Sequence, residues 1–252
     1  MSNETPGKIL VMGHRGWPVK YPENTLPSFK AAFDIGIDIL EFDVMLSSDG
    51  VPVIMHDHTL DRTTTGTGPV SSRTFAELRT VDAGIKKNPS FAGIRIPSLD
   101  ETLDLAMNYP DVILNIEIKD DSFDTAQIIM NALAQRHMEP RAVFTCFDAG
   151  ILHLIKKTWP SAKVQGFPAK SLRNFIEGGN GTYAVMDYVG IYIKDANAAL
   201  VTSFREKHII PGVWCVDDAV TAAAAIELDI DIITSNDPDF LLRFLRERKL
   251  HN

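Results

Sequence analysis

The sequence predicts an α/β protein built as a (β/α)8 barrel. Two observations carry that prediction. From Ser98 onward, short apolar runs alternate with helix-spaced segments, and the whole chain holds about eight such units. Its 252 residues are also the usual length of that fold. A doubly wound open sheet is the rival architecture, since counting strands does not show whether the sheet closes. No sequence repeat is visible beyond the βα rhythm.

The elements follow in order. Ile9 to Met12 is an apolar run that opens at Gly13-His14-Arg15-Gly16, so it reads as a strand entering a polar loop. Leu26 to Ile35 has helical spacing through Leu26, Phe29 and Phe33; Asn24 or Thr25 is its candidate N-cap, and Pro27 suits a first turn. Ile39 to Met45 is a strand that Ser47-Ser48-Asp49-Gly50 turns into a second run, Val51 to His56. Residues 58–96 break the rhythm with a threonine- and glycine-rich stretch, a short helical segment near Phe75 to Leu78 and no comparable strand. They form either a lid-like insertion or a functional loop region.

Ser98 with Glu101 then makes a capping-box pattern for a helix through Met107. Strands are expected at Val112 to Ile118, Ala142 to Phe147 and Val164 to Phe167, one or two between Ala184 and Ile193, then Ile209 to Val216 and Ile230 to Thr234. Helices are expected at Thr125 to Gln135, Ile151 to Lys157, Leu172 to Ile176 (weak), Ala198 to Glu206, Val220 to Leu228 and Pro238 to Arg248.

Composition bounds the function. Hydrophobic content of 45% and charged content of 23% describe a globular protein with a sizeable core. A net charge of -8 and a pI near 5.3 argue against nucleic acid or an anionic membrane as the main partner. The same field mildly repels phosphate, so a phosphate site needs local cations. Cys146 and Cys215 read as buried thiols, too few for a disulfide framework. The start, Met1 to Pro6, shows no secretory pattern, and no apolar run approaches the roughly 20 residues needed to span a bilayer. A soluble, cytoplasmic protein without stable membrane insertion is the expectation; the oligomeric state is not legible.

The chemistry gathers at strand ends. Glu41 and Asp43 alternate with Leu40, Phe42 and Val44, so both carboxylates share one face of a strand. Two adjacent buried acids repel each other and are costly unless paired or holding a metal. Asn115, Glu117 and Lys119 share one face of a later strand in the same way. With His14-Arg15 and His56-Asp57, three early strands deliver acids, bases and cations to one end of the fold, where barrels place their sites. A structural ion-pair network is the competing reading of the acids, and capping or turn roles are the competing readings of the histidines. Three carboxylates without a nearby cysteine suit Mg²⁺ or Ca²⁺ better than zinc. His14 and His56 suit general acid and base, while Arg15 and Lys119 suit the non-bridging oxygens of a phosphate. His14 and Arg15 are neighbours, so both reach one site only if the strand ends there, which Gly13 and Gly16 permit.

Those residues, in that order, resemble the glycerophosphodiester phosphodiesterase family. The likeness rests on Gly13-His14-Arg15-Gly16, Pro22-Glu23-Asn24-Thr25, Glu41-Phe42-Asp43 and Asp49-Gly50-Val51-Pro52-Val53. It continues through His56-Asp57, Leu60-Asp61-Arg62-Thr63-Thr64, Ile96-Pro97-Ser98-Leu99 and Asn115-Ile116-Glu117-Ile118-Lys119. The resemblance implies a TIM (β/α)8 barrel of one domain, residues 1–252, with a small subdomain inserted after strand two at about 58–96. It implies divalent-metal ligands at Glu41, Asp43 and Glu117, acid/base histidines at His14 and His56, and substrate contacts from Arg15 and Lys119, with Trp214 against the glycerol. The implied reaction hydrolyses glycerophosphodiesters to glycerol 3-phosphate and an alcohol, either through a cyclic phosphate or by direct attack of water. Toward the end of the chain the match loosens: Asp217 stands where the family often has Asn, and Thr234-Ser235-Asn236-Asp237-Pro238 carries an extra residue. Two alternatives remain at this stage. One is a phospholipase-D-like enzyme cutting lysophospholipids on the same scaffold, the other a non-catalytic module that binds glycerol phosphate.

Overall fold

The computed structural model describes residues 8–252; the opening segment Met1 to Pro6, with the expectation drawn from it, lies outside the described residues. Nine strands form one sheet: β1 (Leu10–His14), β2 (Ile39–Leu46), β3 (Pro52–Ile54), β4 (Ile113–Ile118), β5 (Ala142–Thr145), β6 (Lys163–Gly166), β7 (Tyr188–Tyr192), β8 (Ile210–Trp214) and β9 (Ile232–Ser235). Strand β1 pairs in parallel with β9 on one side, Leu10 opposite Ile232, and with β2 on the other, His14 opposite Glu41. That double pairing closes the sheet. Eight parallel strands therefore make a TIM-like barrel, and the open-sheet rival is excluded. The ninth, β3, returns antiparallel on β2, with Met45 opposite Val53, through the turn that Gly50 closes.

The helices are α1 (Leu26–Asp34), α2 (Phe75–Leu78), α3 (Leu99–Ala106), α4 (Phe123–Ala134), α5 (Ala149–Thr158), α6 (Ala198–Arg205), α7 (Ala219–Glu227) and α8 (Pro238–Arg246). Their starts follow the sequence signals. Ser98 and Glu101 form the expected reciprocal capping box on α3, and Asn197, Asp218 and Asp237 each accept a backbone N–H at the head of α6, α7 and α8. Thr25 takes the cap position of α1, but its hydroxyl donates to the Pro22 carbonyl instead of capping.

One expected helix is absent. Leu172 to Ile176 is irregular because its backbone is engaged elsewhere: Arg173 N–H donates to the Phe147 carbonyl, and Arg173 C=O accepts from Ala149 N–H. Asn174 at φ 53° also leaves the right-handed region. The βα rhythm thus misses one beat after β6.

The main core lies between barrel and helices. On β2, Leu40, Phe42 and Val44 are fully buried in it with Phe29, Leu103, Leu114 and Phe144. Burial of each such side chain contributes about 1.5–3 kcal/mol, which offsets the cost of burying charge on the opposite face. That face looks into the lumen. Ile39 joins Met12 and Ile232 in a small apolar floor, so the next lumen residues up β2 are Glu41 and Asp43. Residues 58–96 hold only short helical turns, and Leu60, Val70, Leu78 and Ile96 form a separate apolar cluster with Met45, Val53 and Met55 of the hairpin.

Candidate active site

The barrel register brings the early acids together. Glu41 lies opposite Asn115 and Asp43 opposite Glu117, so β2 and β4 present their polar rows side by side. Ligand oxygens of Glu41, Asp43 and Glu117 all lie within 4.8 Å of one another. Asp43 is 1% exposed and Glu41 5%, yet Oδ1 of Asp43 and Oε1 of Glu41 are buried without a hydrogen-bond partner. Their other oxygens are satisfied: the Arg15 backbone N–H donates to Glu41 Oε2 at 2.7 Å, and the Asn24 side chain donates to Asp43 Oδ2 at 2.7 Å. Two orphaned carboxylate oxygens aimed into one site are expensive for a structural network and fit a cation. Burial, then the charges of Asp43 and Glu117, hold the Glu41 carboxyl well above its usual range. Glu117 is raised by burial and by Asp43, partly opposed by Lys119. A divalent cation would reverse both shifts.

Cations surround the acids. Lys119 donates to Glu117 at 2.6 Å and stands 3.7 Å from Asp43. Burial works against its charge, but Glu117 and Asp43 outweigh that and raise its pKa. Arg15 reaches the same centre because it adopts φ 56° immediately after β1, turning the chain so that His14 and Arg15 both face the site. The neighbouring Gly16 makes that turn possible: at φ 88°, a side chain there would also sit 2.4 Å from Ser28 Oγ and 2.8 Å from the Ser28 backbone. Arg15 Nε lies 3.4 Å from Asp43, and a terminal nitrogen bonds Glu23 at 2.8 Å.

Two histidines flank the acids. His14 Nδ1 meets Asn236 Oδ1 at 2.7 Å and Cys215 Sγ at 3.8 Å. His56 Nδ1 meets Asp57 at 2.7 Å. Arg62 grips that same Asp57 with two donors and Glu23 with two more. A continuous row, Asp43–Arg15–Glu23–Arg62–Asp57–His56, therefore ties the metal-type acids to the second histidine. Burial pushes His56 down, only partly opposed by Asp43 and Asp57.

The far side of the lumen is neutral. Thr145 donates to Asn115, which donates to Gln165 at 3.0 Å. Gly190, Gly212, Phe147, Phe167 and Trp214 complete a pocket with His14, Arg15, Glu41, His56, Glu117 and Lys119. All eight residues singled out from the sequence thus fall at one end of the barrel, and Asp43 alone lies beneath the pocket surface. The indole N–H of Trp214 is buried without a partner among the described residues. Cys215 corrects an expectation: it follows β8 beside His14 and is only half-buried, whereas Cys146 is fully buried and its thiol is pushed up to about 12 by burial. Sequence reasoning gave no role to Asn236, Gln165 or Arg62. Gln165 was findable, as the one polar side chain in the expected strand Val164 to Phe167; Asn236 was not.

Comparisons with known proteins agree on one relationship. The pattern of the glycerophosphoryl diester phosphodiesterase family matches residues 14–240. A glycerophosphodiester phosphodiesterase of Caldanaerobacter subterraneus is 32% identical over 244 residues, covering 95% of this chain and 99% of that one. A phosphodiesterase of Oleispira antarctica, solved in complex with its product sn-glycerol-3-phosphate, superposes with a TM-score of 0.84 at 26% identity, over 95% of this chain and 97% of that one. A glycerophosphodiester phosphodiesterase of Agrobacterium tumefaciens gives a TM-score of 0.78 at 25% identity, over 92% and 98% of the two chains.

Proposed function

We propose that this chain, which belongs to the glycerophosphoryl diester phosphodiesterase family, hydrolyses glycerophosphodiesters to glycerol 3-phosphate and an alcohol in a metal-dependent reaction. The observation that carries the reading is the convergence of Glu41, Asp43 and Glu117 with two orphaned buried oxygens, beside two histidines. In it, Glu41, Asp43 and Glu117 hold Mg²⁺ or Ca²⁺, for which an all-carboxylate set is suited. When bound, such a cation polarises the phosphate and offsets charge growing on its oxygens.

The remaining steps belong to the chain's own residues. Arg15 and Lys119 stand at the same centre and bind the non-bridging phosphate oxygens. His14 and His56 share the acid and base roles, one taking the proton of the attacking hydroxyl or water, the other protonating the leaving oxygen. Trp214 walls the glycerol against the neutral side of the lumen. The same reading treats residues 1–252 as one domain with 58–96 inserted after the second barrel strand, and the protein as soluble and cytoplasmic. Among the described residues, no helix is long and apolar enough to cross a membrane.

The test is release of glycerol 3-phosphate from glycerophosphocholine, with lysophosphatidylcholine as the contrasting substrate. EDTA should abolish it and Mg²⁺ or Ca²⁺ restore it; His14→Ala and His56→Ala should each lower kcat by about 10²–10⁴-fold. Undiminished turnover after chelation removes the metal role. Faster turnover of the lysophospholipid favours the phospholipase-D-like alternative, and binding of glycerol phosphate without turnover favours the non-catalytic module.

A further inference from the structure

His14 offers one nitrogen to the protein and keeps the other for the site. Its Nδ1 is 2.7 Å from Asn236 Oδ1, with Cys215 Sγ as a weaker neighbour. Which atom of the Asn236 amide faces the ring decides the protonation pattern of the ring, because the oxygen can only accept and the nitrogen can only donate. Asp217 settles that choice. Its carboxylate accepts from Asn236 Nδ2 at 2.7 Å, from the Asn236 backbone N–H at 2.7 Å and from Ser235 Oγ at 3.0 Å. A carboxylate has no proton to give here, so the amide must turn its NH₂ group toward Asp217 and its oxygen toward His14. The Asn236 backbone bond and Ser235, whose hydroxyl also accepts the Asp237 N–H, hold the loop that carries this arrangement.

We propose that Asp217 and Asn236 are positioning residues that hold His14 as the Nδ1–H tautomer, leaving Nε2 with a free lone pair toward the phosphate pocket. Asp217 acts through Asn236, and Asn236 acts through the ring; neither touches the reacting atoms. The logic parallels the carboxylate that orients the histidine of a hydrolytic triad, with a neutral amide placed between. It also gives a physical meaning to Asp217, which stands where the resemblance leads one to expect Asn: the acid acts on the histidine through the amide of Asn236.

The inference rests on His14 being an acid/base residue, so the test separates the two. In ¹⁵N-labelled full-length protein, long-range ¹H–¹⁵N correlation of the His14 ring should show neutral imidazole as the Nδ1–H tautomer. Asp217→Asn should populate the other tautomer and lower kcat about ten-fold to a hundred-fold with little change in KM. The exchanged pair, Asp217→Asn with Asn236→Asp, again presents a fixed acceptor to Nδ1 and should recover most of that loss. An Nε2–H tautomer in the unmodified protein overturns the proposal. So does an Asp217→Asn enzyme with unchanged kcat, or a double variant no better than the single one. An Nδ1–H ring in a His14→Ala-tolerant enzyme would instead sink the catalytic reading and leave the positioning intact.

Discussion

The two halves of the barrel are built from different materials. Strands β1, β2 and β4 line their side with Arg15, Glu41, Asp43, Glu117 and Lys119, while β5 to β8 line theirs with Thr145, Gln165, Gly190, Gly212 and Trp214. The charged half is locally unfavourable: it holds three acids, and burial first, then their mutual repulsion, raises Glu41 and Glu117. The neutral half carries no charge to oppose, and a short hydrogen-bond chain, Thr145 to Asn115 to Gln165, ties it to β4. Strain placed on one side and shape on the other is what a site needs if charge handles the phosphate and contour handles the alcohol. Mutations should therefore separate into those that trade stability for turnover and those that change fit alone.

The largest separation is expected at Glu41. Glu41→Gln removes one of the three proposed metal ligands and should lower kcat/KM by about a thousand-fold, the scale of several kcal/mol of charge stabilisation. The same change removes repulsion among buried acids, so the metal-free protein should melt at the same temperature or higher. Calorimetric titration with Mg²⁺ or Ca²⁺ and thermal melts in EDTA check the two sides together. A variant that loses stability without metal would make Glu41 a structural partner and erase the contrast between halves.

A smaller effect is expected across the lumen. Trp214 packs at 5.0 Å on Tyr192 and edge-on at 6.5 Å against Phe167. Trp214→Phe keeps an aromatic face, though a smaller one, and removes the unpartnered N–H, and should lower kcat/KM for glycerophosphocholine about ten-fold, mainly through KM. Metal affinity should not move. A fall in metal affinity would show that the two halves are not separable.

The sequence showed the charged half far better than the neutral half, for physical reasons. Acids at alternate strand positions are costly enough to stand out, and Glu41, Asp43, Glu117 and Lys119 could be read from spacing alone. Closure of the sheet was legible only through the resemblance and not from counting strands, since the pairing of Leu10–His14 with both Ile39–Leu46 and Ile232–Ser235 is a long-range fact. Nor was the loss of the helix at Leu172–Ile176, where tertiary bonds to Phe147 and Ala149 override a local pattern. Glu23, Asn24 and Arg62 lay inside motifs that carried the resemblance, but their roles appear only when the loops after β1 and β3 meet.

That meeting sets the smallest expected effect, within the charged half itself. Glu23 bridges Arg15 to Arg62, and Arg62 in turn holds Asp57 against His56. Burial alone would raise Glu23, but its bonds to Arg62 and Arg15 win and lower its pKa from 4.5 to about 2. A folded-state pKa below the unfolded one means the pair stabilises above the unfolded value and loses that contribution as pH falls through the folded one. Glu23→Gln should therefore cost about 1–2 kcal/mol near neutral pH, with partial exposure of the pair allowed for. The gap between parent and variant in urea-unfolding free energy should shrink as pH drops from 4.5 toward about 2. A gap that stays constant over that range would show that Glu23 acts by packing rather than by charge, and that the row from Asp43 to His56 is held by shape like the opposite wall.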